Sequence, residues 1–195
     1  MTGSFLAEPA LTPEVQAAYD NDVADDGYVW NVTRLWAHHL EFKRQLFDLM
    51  SAAVKAGELS FRQRGILVTA TASSLGDSYC SFAWGGKLAG EAGGELAASV
   101  LAGDDVPLTA QERAMAAWAR KVVREPNATT AADVQELRDV GLTDQQIFAM
   151  TTFVSLRLAF STVNDALGAQ PDARLVHSLP PEVVEVVSYG RAPAG

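Results

Sequence analysis

The places where helices must begin and end are marked unusually clearly along this chain. Ser60-Phe61-Arg62-Gln63, Thr109-Ala110-Gln111-Glu112 and Thr143-Asp144-Gln145-Gln146 each set a hydroxyl three residues before Glu or Gln. In such a capping box the hydroxyl accepts from an unpaired N–H of the first turn, and the longer side chain reaches back to the cap. Leu59, Leu108 and Leu142 stand just ahead, where a hydrophobic staple belongs. Thr12-Pro13 gives a fourth start, because proline at the first helical position loses an N–H that has no partner anyway. Thr130 before Ala131, Ala132 and Asp133 gives a fifth. Gly57, Gly76, Gly103, Gly141 and Gly168 follow apolar-periodic runs and can take the left-handed cap. The spacing predicts helices over 13–25, 31–40, 41–56, 60–75, 78–90, 94–102, 109–124, 130–140 and 143–167. No alternating β-branched stretch competes, so the expected class is all-α.

The length of 195 residues suits one domain, 1–195. The last long helix is apolar nearly all round, with Ile147, Met150, Val154 and Leu158 alongside Phe148, Phe153 and Leu156. That pattern marks a central helix. The segment 60–75 has no charge after Arg64 and is expected to pack against it. Gly85-Gly86 and Gly93-Gly94 imply a close backbone approach or a bend. The proline-punctuated segment 171–195 is expected to be a C-terminal arm outside the core.

Composition excludes several functions. With 24 acidic against 15 basic side chains the chain carries −9 at neutral pH, which rules out a basic nucleic-acid platform. One cysteine, Cys80, cannot form an intrachain disulfide and fits a reducing cytoplasm. No leader pattern opens the sequence, and the most apolar run contains Arg157, so neither export nor membrane insertion is expected. Three histidines and one cysteine show no metal-ligand spacing; neither metal nor cofactor is expected.

Chemistry is most concentrated in Gly76-Asp77-Ser78-Tyr79-Cys80-Ser81-Phe82-Ala83-Trp84-Gly85, between two buried helices. With Asp77 or Ser78 as N-cap, Cys80 falls in the first turn, where free N–H groups and the helix dipole favour a thiolate. The Asp77 charge opposes ionisation if it lies near the sulfur. The sequence does not give the sign of the balance, and an inert buried cysteine fits the same residues. Arg157 interrupts an apolar helix and must be paired, with Asp77 or Asp165 as partner, or in a structural or subunit-interface bridge. Asn164, seven residues on, shares its face. Tyr79, Phe82 and Trp84 can line an apolar pocket or belong to the core. His38 and His39 are consecutive, so at most one faces a given pocket.

The order of these segments resembles the alkylhydroperoxidase D-like and carboxymuconolactone decarboxylase superfamily, particularly its peroxidase-related branch. The resemblance rests on Leu59-Ser60, Gly76 to Gly85, Leu108 to Ala114, Asp133 through Asp144 and the ending Asn164 to Gly168. It implies an oligomeric helical bundle. Redox members of that family use a glutamate, a C-x-x-C pair and a following histidine. Here Cys80 matches the second cysteine, while Asp77, Trp84 and a position near Gly65 replace the other three.

The resemblance implies a single-cysteine peroxidase-like thiol oxidoreductase centred on Cys80 with Asp77 and Tyr79, supported by Trp84, Phe82, Arg157, Asn164 and His38. A small-molecule substrate and an external thiol reductant are implied, and a homo-oligomer (dimer, trimer or hexamer) is expected, with no nucleic-acid or membrane partner. The alternatives are a carboxy-lyase using acid–base groups at the same mouth, Asp77 and Tyr79 or else His38 or His39, and a non-catalytic ligand-binding oligomer.

Overall fold

The computed structural model describes residues 3–194, and among them every regular element is helical. The α-helices are α1 (Pro13–Asp26), α2 (Asn31–Trp36), α3 (Leu40–Ala56), α4 (Phe61–Leu75), α5 (Ser78–Ala92) and α6 (Gly94–Ala102), followed by α7 (Ala110–Arg124), α8 (Ala131–Asp139), α9 (Asp144–Ala166), α10 (Ala173–His177) and α11 (Pro181–Val186). Complete capping boxes open α4, α7, α8 and α9, each with reciprocal bonds between the hydroxyl residue and the third residue of the helix. The starts read from the sequence are those of the structure.

The run 31–40 is interrupted. Helix α2 stops at Trp36 and tightens into a 3-10 turn over Ala37–His39, and His39 leaves helical geometry to cap α3, its Nδ1 accepting from Phe42 N at 3.3 Å. This corner turns α3 across α9.

Helix α4 lies at the centre, against α5, α7 and α9. Its residues 65–72 are all buried, which explains an apolar sequence with no polar face. Helix α9 is long and apolar enough by composition to cross a bilayer. Here it packs against α3, α4 and α7 as a core helix, with Arg157 and Asn164 turned inward.

Segment 171–194 corrects one expectation. Rather than lying outside the core as an arm, it folds back on its own chain, α11 packing on α6 and α5. Val183 is fully buried and Leu175 largely so. The glycines of α5 permit this: a Cβ on Gly85 would stand 3.0 Å from Val183 Cγ1, and one on Gly86 2.3 Å from Leu179 Cδ2. The first glycine pair therefore allows close approach without breaking the helix. The second makes the bend, Gly93 taking φ +96° between α5 and α6.

Candidate functional site

The turn from α4 into α5 builds the site. Gly76 ends α4 in the left-handed region (φ +83°), and Asp77 N bonds back to Ala72 O at 3.0 Å. Asp77 is then free to cap α5: its Oδ1 accepts from Cys80 N at 2.9 Å. Cys80 is thereby fixed in the first turn, 2% exposed, in the wall of a cavity of about 730 Å³. The second Asp77 oxygen, Oδ2, is buried without a hydrogen-bond partner.

Arg157 reaches the sulfur from α9, its Nη2 donating to Cys80 Sγ at 3.5 Å. Its guanidinium is held by aromatic faces, 5.3 Å from the Trp84 ring centroid and 5.1 Å from that of Phe160. It makes no ion pair with Asp77 or Asp165, the partners considered for it from the sequence. The unpaired buried charge is met instead by a polarisable sulfur and two rings.

The balance of charges on Cys80 favours the thiol over the thiolate. Burial pushes the thiol well above its ordinary range, and the Asp77 carboxylate pushes further in the same direction. Arg157 and the Ser161 hydroxyl pull the other way without overcoming them. The resting sulfur is a neutral thiol. A place at a helix start does not by itself make a thiolate where burial and a neighbouring carboxylate both oppose it.

The other residues singled out from the sequence divide between this cavity and elsewhere. Tyr79 and Trp84 line it with Cys80 and Arg157. The Tyr79 hydroxyl is engaged, donating to Asp172 and accepting from Val32 N at 3.3 Å. Phe82 is buried on another side of α5 and is not part of the wall. Asn164 accepts from Trp36 Nε1 at 2.8 Å, beneath the stacked Trp36 and Phe160 rings, and is also outside the wall. His38 is further removed: exposed, its Nε2 3.0 Å from Ala7 O, it borders a separate apolar groove of about 520 Å³. The structure does not bring it to Cys80.

Four contributors were missed from the sequence: Lys43, Lys87, Phe160 and Ser161. Helical spacing carried the signal for three of them, since Phe160 and Ser161 lie one turn beyond Arg157, and Lys87 one turn beyond Trp84. Lys43 comes from α3 and had no such cue.

A buried cysteine at the start of a helix, entered from a Gly76-Asp77 turn at the centre of an all-helical bundle, places the chain in a structural class. The fold is that of the alkylhydroperoxidase D-like proteins. An uncharacterised peroxidase-related protein from Silicibacter sp. TM1040 superposes with a TM-score of 0.81 at 22% identity, over 92% of this chain and 96% of that one. An uncharacterised peroxidase-related protein from Ralstonia eutropha JMP134, described as an alkylhydroperoxidase AhpD core, gives 0.76 at 24%, over 98% of each chain. The debrominase Bmp8 is similar too, at 0.73 and 12% over 94% and 98%, and its cysteine-to-alanine variant has been crystallised with 2,3,4-tribromopyrrole. At these identities the likeness is one of fold. No protein-family model and no curated protein sequence matches the chain.

Proposed function

We propose that the protein is a single-cysteine thiol oxidoreductase that reduces peroxides at Cys80. The supporting observation is the contact of Arg157 Nη2 with Cys80 Sγ in the wall of a ligand-sized cavity. A neutral buried thiol is a weak nucleophile, so the proton must leave as the new bond forms. The Asp77 carboxylate, held next to Cys80 by the cap and with its Oδ2 buried and unpartnered, takes that proton. Arg157 and Ser161 stabilise the negative charge that grows on sulfur.

The sulfur attacks the outer peroxide oxygen, the O–O bond breaks, and the alcohol leaves as the proton passes to it; Cys80 becomes a sulfenic acid. With no second cysteine in the chain, external thiol restores Cys80: the first condenses with the sulfenic acid and releases water, and the second resolves the mixed disulfide. The test is peroxide turnover with a thiol reductant, combined with trapping of the sulfenic acid by dimedone and mass spectrometry. Cys80→Ser is expected to abolish both. Unchanged turnover in that variant rejects the reading.

A second reading is favoured by one observation, the aromatic cavity lining together with the fold shared with a debrominase. In it, Cys80 removes a halogen from an electron-rich ring, the ring carbon gains a proton, a first external thiol displaces halide from the sulfenyl halide to give a mixed disulfide, and a second external thiol releases Cys80. Bromide release from 2,3,4-tribromopyrrole, lost in Cys80→Ser, distinguishes it. The lyase alternative has less support, because the Tyr79 hydroxyl is committed to Asp172 and His38 lies in another groove.

A further inference from the structure

The cavity beside Cys80 is lined by three cations from three helices: Lys43 of α3, Lys87 of α5 and Arg157 of α9. None of the three has a carboxylate within ion-pair distance among the described residues. The one carboxylate in the wall, Asp26, is exposed; its Oδ2 accepts from Trp30 Nε1 at 2.7 Å, and its charge raises the Lys87 pKa from beyond ion-pair distance without overcoming burial. Arg157 is the deepest of the cations at 4% exposure, and its Nε–H has no partner at all. A buried guanidinium with an unspent donor is costly unless a ligand completes it.

Lys87 and Arg157 share the Trp84 ring, and after burial it is the Arg157 charge that most lowers the Lys87 pKa. Lys87 Nζ stands 4.9 Å from the Trp84 ring centroid and Arg157 Cζ 5.3 Å from the same centroid. Two cations around one indole repel, and an anion bound by either of them offsets that repulsion. The neutral Cys80 thiol does not supply this charge. Beyond the cations the wall is flat and apolar, with Trp30, Phe47, Trp84 and Phe160. Ring faces of this kind take planar bodies.

We infer that the cavity binds an organic anion, a flat apolar body bearing one carboxylate, with its head at the Lys87 and Arg157 cations and its body against the aromatic wall. This deepens the proposed function and rests on it in one respect: it names the class of molecule brought to Cys80, and binding itself requires no chemistry at the sulfur.

The probes are 2-naphthoate and its uncharged isostere naphthalene-2-carboxamide, titrated calorimetrically into the unmodified protein, Cys80→Ser and Lys87→Gln. Charge-assisted hydrogen bonds are roughly twice as strong as neutral ones, so the carboxylate is expected to bind about tenfold more tightly than the amide in the first two proteins. In Lys87→Gln, an exposed position where folding is not at stake, the preference is expected to fall below about threefold. Saturating 2-naphthoate is expected to slow alkylation of Cys80 by iodoacetamide. Equal affinity for the two probes, no binding of either, a preference unchanged in Lys87→Gln, or no protection of Cys80 each overturns the inference. The two proposals fail separately: peroxide turnover surviving Cys80→Ser removes the thiol chemistry and leaves anion binding standing, and equal affinities do the reverse.

Discussion

One Asp77 oxygen closes the first turn of α5 while the other faces inward unpartnered, and the two tasks separate under mutation. Asparagine keeps a capping oxygen and removes the charge that opposes ionisation of Cys80. In Asp77→Asn the thiol is therefore expected to be alkylated faster than in the unmodified protein, by up to about tenfold at pH 8. Peroxide turnover is expected to fall about a hundredfold in the same variant, because the proton acceptor is gone. Stopped-flow alkylation and steady-state turnover measure the two; movement in the same direction contradicts the role given to Asp77. Arg157→Gln carries the opposite sign at the sulfur. Arg157 lowers the Cys80 pKa, so its loss raises it, and both alkylation and turnover are expected to slow. The part of the site that was readable beforehand is the part made of near neighbours. Asp77 and Cys80 are three residues apart and joined by a cap, whereas Arg157 lies 77 residues from Cys80 and nothing local announces which group it will meet.

At the scale of elements the same contrast holds between the helices that carry caps and the segment that lacks them. Four capping boxes state in four residues where a helix begins, and the chain obeys them. Segment 171–194 offers only isolated apolar residues among prolines and charges, so its burial depends on a surface that other helices must first assemble. Glycine at 85 and 86 prepares that surface, but only once α11 is known to lie there do the glycines acquire a reason. Burying a valine contributes about 1.5–3 kcal/mol, so Val183→Ala is expected to cost about 2 kcal/mol and lower the melting temperature by about 4–8 °C. Calorimetric melting checks this. A variant melting with the unmodified protein means that α11 contributes nothing to the core.

For the molecule as a whole, pH acts through a carboxyl that the sequence marked only as a possible partner of Arg157. Asp165 is half-buried, and burial first and the Asp77 charge second push its carboxyl up to about 7, from 3.8 in an unfolded chain. Between those values the folded protein keeps a proton that the unfolded chain has released. Stability from this group is thus full below about pH 4, declines as pH rises toward 7, and is flat above that. Asp165→Asn removes the decline. Allowing for solvent screening of a half-exposed group, the variant is expected to gain about 1–2 kcal/mol over the unmodified protein at pH 8 relative to their difference at pH 4, measured by urea unfolding.

Arg191 joins three parts of the chain that are remote in sequence. Its backbone N–H and carbonyl both bond to Ser78 Oγ, at 2.9 and 2.8 Å, its guanidinium bonds to Asp165 O at 3.0 Å, and it covers the Phe5 ring, 4.6 Å from the centroid. Two residues earlier, the Tyr189 hydroxyl donates to Ser81 Oγ at 3.0 Å. This lacing binds the first turn of α5 from outside while Asp77 holds it from within. A protease that nicks the backbone ahead of Tyr189 would thus loosen the seat of the thiol without touching the cavity, and damage at one margin of the fold would register as altered reactivity at its centre.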